Sequence, residues 1–283
     1  MSAPPQIPGS VPARPLLVAA TGESLARARA AGAPTLRCSM DLQRSECEVG
    51  IAPTHWQWNG VDYPYPARLR DRTVYCWSGD AFEPVARFDG GLIKLVPTDW
   101  GPPTFEIDGI KMLPTAKISP LQDARTKVSW VEPRGKAVLD CCGGLGYFAV
   151  ACLEQGAARI HSFEKSDAVR WLRSVNPWSQ ADDARLALQA GAVEEALPGM
   201  APASVDAVLH DPPRFGIAGE LYSLAFYEQL ARVLRRGGLL FHYTGTPNRL
   251  TSGRDVPAEV KRRLEQAGFT AQRRGDGLLA RRR

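Results

Sequence analysis

The sequence predicts an α/β protein with a doubly wound, mostly parallel sheet that ends in an antiparallel hairpin, preceded by a small antiparallel β module. Two observations lead to this fold class. Beyond about residue 117, helical segments alternate with strand-like runs that are apolar throughout, as in strands buried on both faces. Between residues 35 and 116, short β-like runs rich in Trp, Tyr, Pro and Gly follow one another without helical segments.

We therefore predict three segments along the chain. Residues 1–34 form a flexible tail and a short helix, residues 35–116 form the β-rich module, and residues 117–283 form the larger α/β domain. The tail is inferred from its prolines. Its one apolar patch, at residues 16–20, is too short for the core of a secretory signal.

The predicted helices and strands follow one another in this order along the chain. The helix "GESLARARAA" precedes the β-rich module, in which turn pairs such as Asn59-Gly60 separate the strands. The predicted strands of the module are TLRCSMDL, ECEVGIA, HWQWNG, TVYCWSG, VARFDG, LIKLVPT and FEIDGIKML. In the larger domain, the predicted order is helix SPLQDARTKVSW, strand AVLDC, helix YFAVACLEQG, strand RIHSFEK, helix SDAVRWLRSVN, strands RLALQAG and VDAVLHD, helix ELYSLAFYEQLARVLRRGG, strand LLFHYTG, helix VPAEVKRRLEQAGF and a final hairpin.

The composition excludes several classes of protein. With 44% hydrophobic and 23% charged residues among 283, the chain has the composition of a globular protein, and no apolar run reaches the length of a membrane-spanning helix. Its six cysteines include no Cys-x-x-Cys pair and its four histidines are scattered, so we predict no metal site. Cysteines without a secretory signal are most simply reduced thiols, which predicts a cytoplasmic protein.

The net charge of +5 is concentrated at the C-terminal end. Residues 261–283 contain 8 basic and 2 acidic side chains, whereas the rest of the chain is close to neutral. Such a cluster can contact phosphates, and an RNA ligand would also need exposed aromatic rings, for which the β-rich module offers Trp56, Trp58, Tyr63, Tyr65 and Trp77. The alternative is that the arginines form a solvated surface and the rings form the core of the module, and we favour that alternative.

The stretch "AVLDCCGGLGYFAV" marks the predicted binding site. A buried strand ends at Asp140, a glycine-rich turn follows, and a helix begins at once; the next strand ends at Glu164. In doubly wound sheets, ligands bind at the carboxyl ends of the strands where the winding reverses. Glycines allow positive φ angles and close approach of a ligand, and the helix start offers free N–H groups.

These residues resemble motif I of class I S-adenosylmethionine-dependent methyltransferases, and the resemblance implies a Rossmann-like domain. Asp140 matches the acid of the motif, Gly144 and Gly146 match its second and third glycines, and Cys142 replaces the first. Glu164 matches the acid that binds both ribose hydroxyls of the cofactor in that family. The resemblance therefore implies that S-adenosyl-L-methionine is the cofactor.

The third strand departs from the family pattern. Many members follow it with an acid that contacts the adenine, whereas here "QAGAVEE" places Gly191 and Ala192 there. We therefore expect the backbone near Ala192, or the side chain of Glu194, to contact the adenine.

"HDPPRF", at the end of the fourth predicted strand, resembles motif IV, which lies beside the reactive methyl group in this family. The resemblance implies that Asp211 and Pro212 face the methyl acceptor, and His210 is a candidate base. The two prolines fix φ twice and hold the loop rigid. Arg214 stands where amine-methylating relatives have an aromatic residue, which argues against methylation of an exocyclic base amine.

Three other chemistries compete with this interpretation. Cytosine C5 methylation needs a thiol beside motif IV or after the fifth strand, and neither place has a cysteine. Hydride transfer on a dinucleotide would use a similar turn, but the acid just before the turn and the Asp-Pro-Pro motif favour a methyltransferase. An aminopropyltransferase remains an alternative. The glycine turn of those enzymes resembles Gly-Gly-Asp-Gly, however, and the turn of this chain has Leu145 in place of the Asp.

We therefore predict an S-adenosylmethionine-dependent methyltransferase with an unidentified acceptor near Asp211. The pattern from about residue 36 to 270 also resembles a group of predicted methyltransferases known from archaeal genomes, which implies the fold and cofactor but no acceptor. The β-rich module is a candidate for holding the acceptor. A small molecule or a protein is favoured as the acceptor, an RNA methyltransferase is a further alternative, and a membrane partner is not expected.

Overall fold

The computed structural model describes residues 14–179, 182–214, 216, 218–245 and 255–283. Within it the chain forms two compact units. The first runs to Ala86 and includes Lys94–Pro103, and the second comprises Arg87–Ile93 and Thr104–Arg283.

From residue 14 onward, the first unit contains one helix and two antiparallel sheets. Strands β2, β3, β4 and β5 form one sheet in that order, and β1, β6 and β7 form the other. Trp56 is fully buried in the core of the unit and stacks on Tyr63 with ring centroids 4.6 Å apart. The elements are β1 Leu16–Leu17, α1 Ala19–Ala30, β2 Thr35–Cys38, β3 Cys47–Ile51, β4 His55–Trp58, β5 Val61–Pro64, β6 Tyr75–Trp77 and β7 Phe82–Pro84.

Strands β8 (Ala86–Phe88) and β9 (Leu92–Val96) each contain residues of both units. The next run, predicted as the single strand FEIDGIKML, is instead a hairpin of β10 (Thr104–Ile107) and β11 (Ile110–Lys111). The prediction was wrong because Asp108 and Gly109 both adopt positive φ angles, of 48° and 80°, which reverse the chain in a two-residue turn.

The second unit is built on a seven-stranded sheet with the order β14-β13-β12-β15-β16-β18-β17. The first five strands in this order are parallel, and β18 pairs antiparallel with both β16 and β17. The predicted fold class is confirmed, including the terminal hairpin. The strands are β12 Ala137–Asp140, β13 Arg159–Glu164, β14 Leu186–Ala190, β15 Val205–His210, β16 Leu234–Tyr243, β17 Phe269–Arg274 and β18 Gly277–Arg282.

Six described α-helices and two short 3₁₀ turns, Leu197–Gly199 and Gly219–Tyr222, complete the second unit. The helix predicted to run through the two glycines 237 and 238 ends earlier, at Val233, because Leu234 is fully buried and pairs with β15. The helices are α2 Pro120–Ser129, α3 Tyr147–Glu154, α4 Asp167–Val175, α5 Val193–Ala196, α6 Leu224–Val233 and α7 Val256–Gln266. No helix in the described part of the chain is long and apolar enough to cross a membrane.

Candidate functional site

The site lies where the winding of the large sheet reverses. Strands β12 and β15 are parallel neighbours, and Asp140 at the end of β12 is level with Leu209 of β15. The glycine turn after β12 and the Asp-Pro-Pro loop after β15 therefore leave the sheet side by side. A cavity of about 340 Å³ lies against both, and every residue that lines it belongs to the second unit.

The glycine turn is held by hydrogen bonds from its own backbone. The N–H of Gly143 donates to the Phe163 carbonyl at 2.6 Å, and the N–H of Gly146 donates to the Gly143 carbonyl at 2.7 Å. Gly144 and Gly146 have φ angles of 50° and 84°, which side chains rarely tolerate. The turn then leads directly into α3.

Glu164 ends β13 and lines the cavity beside this turn. Its Oε2 accepts a hydrogen bond from the N–H of Gly144 at 2.9 Å, and its Oε1 accepts one from the N–H of Ser166 at 2.9 Å. Each carboxylate oxygen can accept a second hydrogen bond. The side chain is therefore fixed in position and still able to bind a pair of hydroxyls.

Asp140 lies behind the turn and does not line the cavity. It is fully buried, and its Oδ2 accepts a hydrogen bond from the Ser162 hydroxyl at 2.7 Å. Burial raises the pKa of Asp140 to about 6, against the opposing effects of the Ser162 hydrogen bond and the charge of Arg173. This placement indicates that Asp140 supports the turn from the side away from the cavity.

The start of α5 also lines the cavity, next to the end of β13. Ala192 precedes the helix, and Gly191, with a φ of 132°, bends the chain away from β14. Both residues line the cavity with Glu194. Cys142 also lines the cavity, and burial raises the pKa of its thiol well above the usual value, so the sulfur is uncharged at neutral pH.

The Asp-Pro-Pro loop forms the other end of the cavity. Asp211, Pro212 and Pro213 all line it, and the Tyr222 hydroxyl donates to the Pro213 carbonyl at 3.0 Å, which holds the loop. Burial raises the pKa of Asp211 to about 7; the charge of Lys127 opposes this rise, and nearby carboxylates add to it. A carboxyl with such a pKa can take up a proton near neutral pH.

Lys127 and the acids around it could not be recognised from the sequence. Lys127 belongs to α2 and is 1% exposed, and its Nζ lies 2.7 Å from Asp123 Oδ2 and 3.3 Å from Asp276 Oδ2. The same Nζ lies 4.4 Å from the centre of the Tyr243 ring. Asp123 and Tyr243 line the cavity. In the sequence, Asp123 and Lys127 look like an ordinary surface pair four residues apart on a helix.

The two histidines near this loop are buried in the sheet and do not line the cavity. The Nε2 of His210 lies 3.0 Å from the Leu221 carbonyl, and the Nε2 of His242 lies 2.8 Å from the Tyr227 hydroxyl. Burial lowers the pKa of His210 to about 4 and that of His242 well below its usual range. Both rings are therefore neutral at physiological pH.

Of the nine predicted site residues, the structure places six on the cavity: Cys142, Gly144, Glu164, Ala192, Asp211 and Pro212. Asp140 and His210 lie behind it, and Gly146 packs away from it, against Arg173.

Many of the C-terminal basic residues contact their own chain. Arg263 donates to the Tyr222 carbonyl, Arg281 to the Gly237 carbonyl and Arg283 to the Glu265 carbonyl.

Comparison with known proteins gives one close relative in sequence. The chain is 39% identical over 203 residues to the uncharacterized protein MJ1233 of Methanocaldococcus jannaschii. The aligned region covers 71% of this chain and 69% of that protein. No family model matches the chain.

Solved structures share the fold at low sequence identity. Spermidine synthase from Thermotoga maritima superposes with a TM-score of 0.53 at 16% identity, over 69% of this chain and 70% of that one. A spermidine synthase complexed with the transition-state analogue AdoDATO gives 0.54, also at 16%, over 69% and 71% of the two chains. An S-adenosylmethionine-dependent methyltransferase from Mesorhizobium loti gives 0.44 at 15%, over 57% and 100%.

Proposed function

The chain belongs to the family of MJ1233 from Methanocaldococcus jannaschii, and for it we propose S-adenosylmethionine-dependent methyl transfer to an acceptor bound near Asp211. One observation carries the proposal. A single cavity is lined at one end by the glycine turn with Glu164 and at the other by the Asp-Pro-Pro loop. A binding carboxylate and a carboxylate able to act as a base are thus part of the same site.

The residues at the first end fit the nucleoside part of the cofactor. Glu164 is held by the N–H groups of Gly144 and Ser166, and its remaining lone pairs suit the two ribose hydroxyls. Ala192 and Glu194 line the same cavity, where the backbone at Ala192 and the side chain of Glu194 would contact the adenine. A cavity of about 340 Å³ falls within the range of small-molecule sites.

The residues at the second end fit the reacting group. When bound, S-adenosylmethionine supplies a methyl group on a sulfonium cation. With a pKa of about 7, the Asp211 carboxylate can accept a proton from the acceptor near neutral pH. Pro212 and Pro213 restrict the backbone, and Tyr222 holds the Pro213 carbonyl, so the carboxylate keeps its direction.

The charge cluster beneath Asp211 favours a second candidate function, aminopropyl transfer. Three carboxyl groups, of Asp123, Asp211 and Asp276, surround one lysine, Lys127. An excess of carboxylates suits an amine acceptor, as a polyamine would be. This activity would use decarboxylated S-adenosylmethionine at the same Glu164.

For the acceptor, we propose a small molecule or a protein group. Many of the C-terminal arginines are already bound to carbonyl groups of their own chain, and Trp56 and Tyr63 are buried. These contacts support the interpretation that the basic cluster and those two rings serve the fold.

Two measurements test the function. Calorimetry with S-adenosylmethionine and with its decarboxylated form should show tighter binding of the first, and tighter binding of the second would favour aminopropyl transfer. Labelled methyl groups should then be followed from the cofactor into cellular RNA, protein and metabolite fractions. Failure of both nucleosides to bind the purified chain would overturn the proposed function.

A further inference from the structure

Arg173 is a buried cation directly beneath the glycine turn. It belongs to α4 and is only 5% exposed, although arginine side chains are rarely buried. A Cβ on Gly146 would lie 2.5 Å from Arg173 Nε, and a Cβ on Gly143 would lie 2.9 Å from Arg173 Nη1. The guanidinium therefore packs directly against the turn at both glycines.

This contact explains the glycine at position 143, which has no positive φ angle. Its backbone conformation would accept a side chain. The space would not, because a Cβ there would also lie 2.5 Å from the Ser162 hydroxyl. Glycine is thus required at this position because Arg173 and Ser162, which pack against the turn, leave no room for a side chain.

The same guanidinium is linked to Asp140 through the Ser162 hydroxyl. Arg173 Nη1 donates to the Ser162 hydroxyl at 3.1 Å, and that hydroxyl donates to Asp140 Oδ2 at 2.7 Å. Burial lowers the pKa of Arg173, while the charges of Asp140 and Glu164 oppose that effect. The cation compensates Asp140 below the turn and attracts Glu164 at its edge.

We infer that Arg173 is a positioning residue for the cofactor, because its guanidinium supports the glycine turn, and the Gly144 N–H of that turn holds the Glu164 carboxylate that would bind the ribose. This inference rests on the proposed function for the identity of the ligand. The placement of the turn can be tested without any ligand. Arg173 itself does not line the main cavity, so it acts through the turn and through Glu164.

The first test compares Arg173→Ala and Arg173→Lys with Arg159→Ala, an exposed arginine at the start of β13. Affinity for S-adenosylmethionine should fall by about tenfold or more in both Arg173 variants, a loss typical when a group supporting a ligand-binding residue is removed. KM for the cofactor should rise while kcat changes little, and the control should match the wild type. Wild-type affinity in a folded Arg173→Lys would overturn the inference.

Chemical rescue distinguishes positioning from a general loss of stability. Arg173 also borders a second cavity, of about 220 Å³, through which a small cation can reach the space left by Arg173→Ala. Guanidinium at millimolar concentration should restore cofactor affinity in that variant, and sodium at equal ionic strength should not. Failure of guanidinium to restore affinity in the folded variant would overturn the inference. If Arg173→Ala does not fold, the Lys variant decides.

Amide hydrogen exchange at Gly143 and Gly144 provides the readout that needs no cofactor. Both N–H groups are hydrogen-bonded, to the Phe163 carbonyl and to Glu164, and both should exchange faster in the Arg173 variants. Unchanged exchange would overturn the positioning role even if the wild type binds cofactor. Faster exchange in a chain that binds no nucleoside would instead uphold the role of Arg173 and refute the proposed function.

Discussion

The two ends of the cavity are built in different ways. At the end formed by the glycine turn and Glu164, the proposed cofactor end, both oxygens of Glu164 accept hydrogen bonds from the backbone N–H groups of Gly144 and Ser166. At the end formed by the Asp-Pro-Pro loop, the proposed acceptor end, the Asp211 carboxylate accepts no side-chain or backbone hydrogen bond from the described residues, and burial raises its pKa to about 7. The charges that modify this pKa come from Lys127, Asp123 and Asp276, which lie far away in sequence.

The difference indicates that the two carboxylates are suited to different roles. A carboxylate that is already hydrogen-bonded has a fixed position, so it loses little entropy when a ligand binds. A carboxylate without such bonds, in a partly desolvated place, gains a proton more readily. The first arrangement suits binding and the second suits proton transfer, and each can be removed separately.

The largest effect is expected from Asp211→Asn. The amide cannot accept the proton, so methyl transfer should slow by about 10²–10⁴-fold, the usual contribution of a general base, while cofactor affinity stays within about twofold. Turnover with labelled cofactor and calorimetry measure the two quantities. Asp80→Asn, at an exposed turn in the first unit, serves as the matched control. Full turnover in Asp211→Asn would show that the carboxylate is structural.

Glu164→Ala should affect the opposite quantity. It removes two charge-assisted hydrogen bonds to the ribose, each worth about 1.5–3 kcal/mol before compensation, and releases the Gly144 N–H. Cofactor affinity should therefore fall at least about tenfold, with the chain still folded by circular dichroism. Glu195→Ala changes an exposed glutamate of the same charge on α5 and should bind like the wild type. Equal affinity in both variants would contradict the assignment.

The cofactor end could largely be predicted from the sequence because its determinants are local. The order of strand, Asp140, glycine turn, helix and Glu164 is contained within 28 residues, and the structure places the turn and Glu164 on one cavity. The parallel strand order follows from the same alternation. The sequence could not show that Asp140 faces away from the cavity, because the direction of a side chain at a strand end depends on what packs beneath it.

The acceptor end was predicted only in part because its determinants are distant. The motif gave Asp211 and Pro212, but Lys127 reaches them from α2 and Asp276 from the turn between β17 and β18. Lysines are rarely buried, so Lys127 gave no signal in the sequence. Arg173 was missed for the same reason, and only the steric demand at Gly143 reveals it.

Lys127→Met should shift the pH dependence of methyl transfer. In the proposed function the ionised form of Asp211 acts as the base, so the wild-type rate should rise as pH increases through about 7 and then level off. Without the cation, the carboxyl pKa rises and the same increase should occur at higher pH. Lys127→Arg keeps the charge and should leave the midpoint close to that of the wild type. Identical pH profiles in all three proteins would contradict the role assigned to the cluster.

The smallest effect is expected from the C-terminal arginines. Arg273 pairs with Asp255 at 3.5 Å and Arg274 lies 5.5 Å from the Trp130 ring centre, which leaves Arg262, an exposed residue of α7, as a candidate for contact with a phosphate. An RNA acceptor would give an affinity that falls steeply with salt, by a logarithmic slope of about 0.7 for each phosphate neutralised on a single strand. We expect weak RNA binding, and the double variant Arg262→Gln, Arg273→Gln should change it by less than about twofold. Tight binding with a steep salt slope that this variant reduces would instead favour RNA as the acceptor. It would also give the proposed acceptor end a second, electrostatic component that the cofactor end lacks.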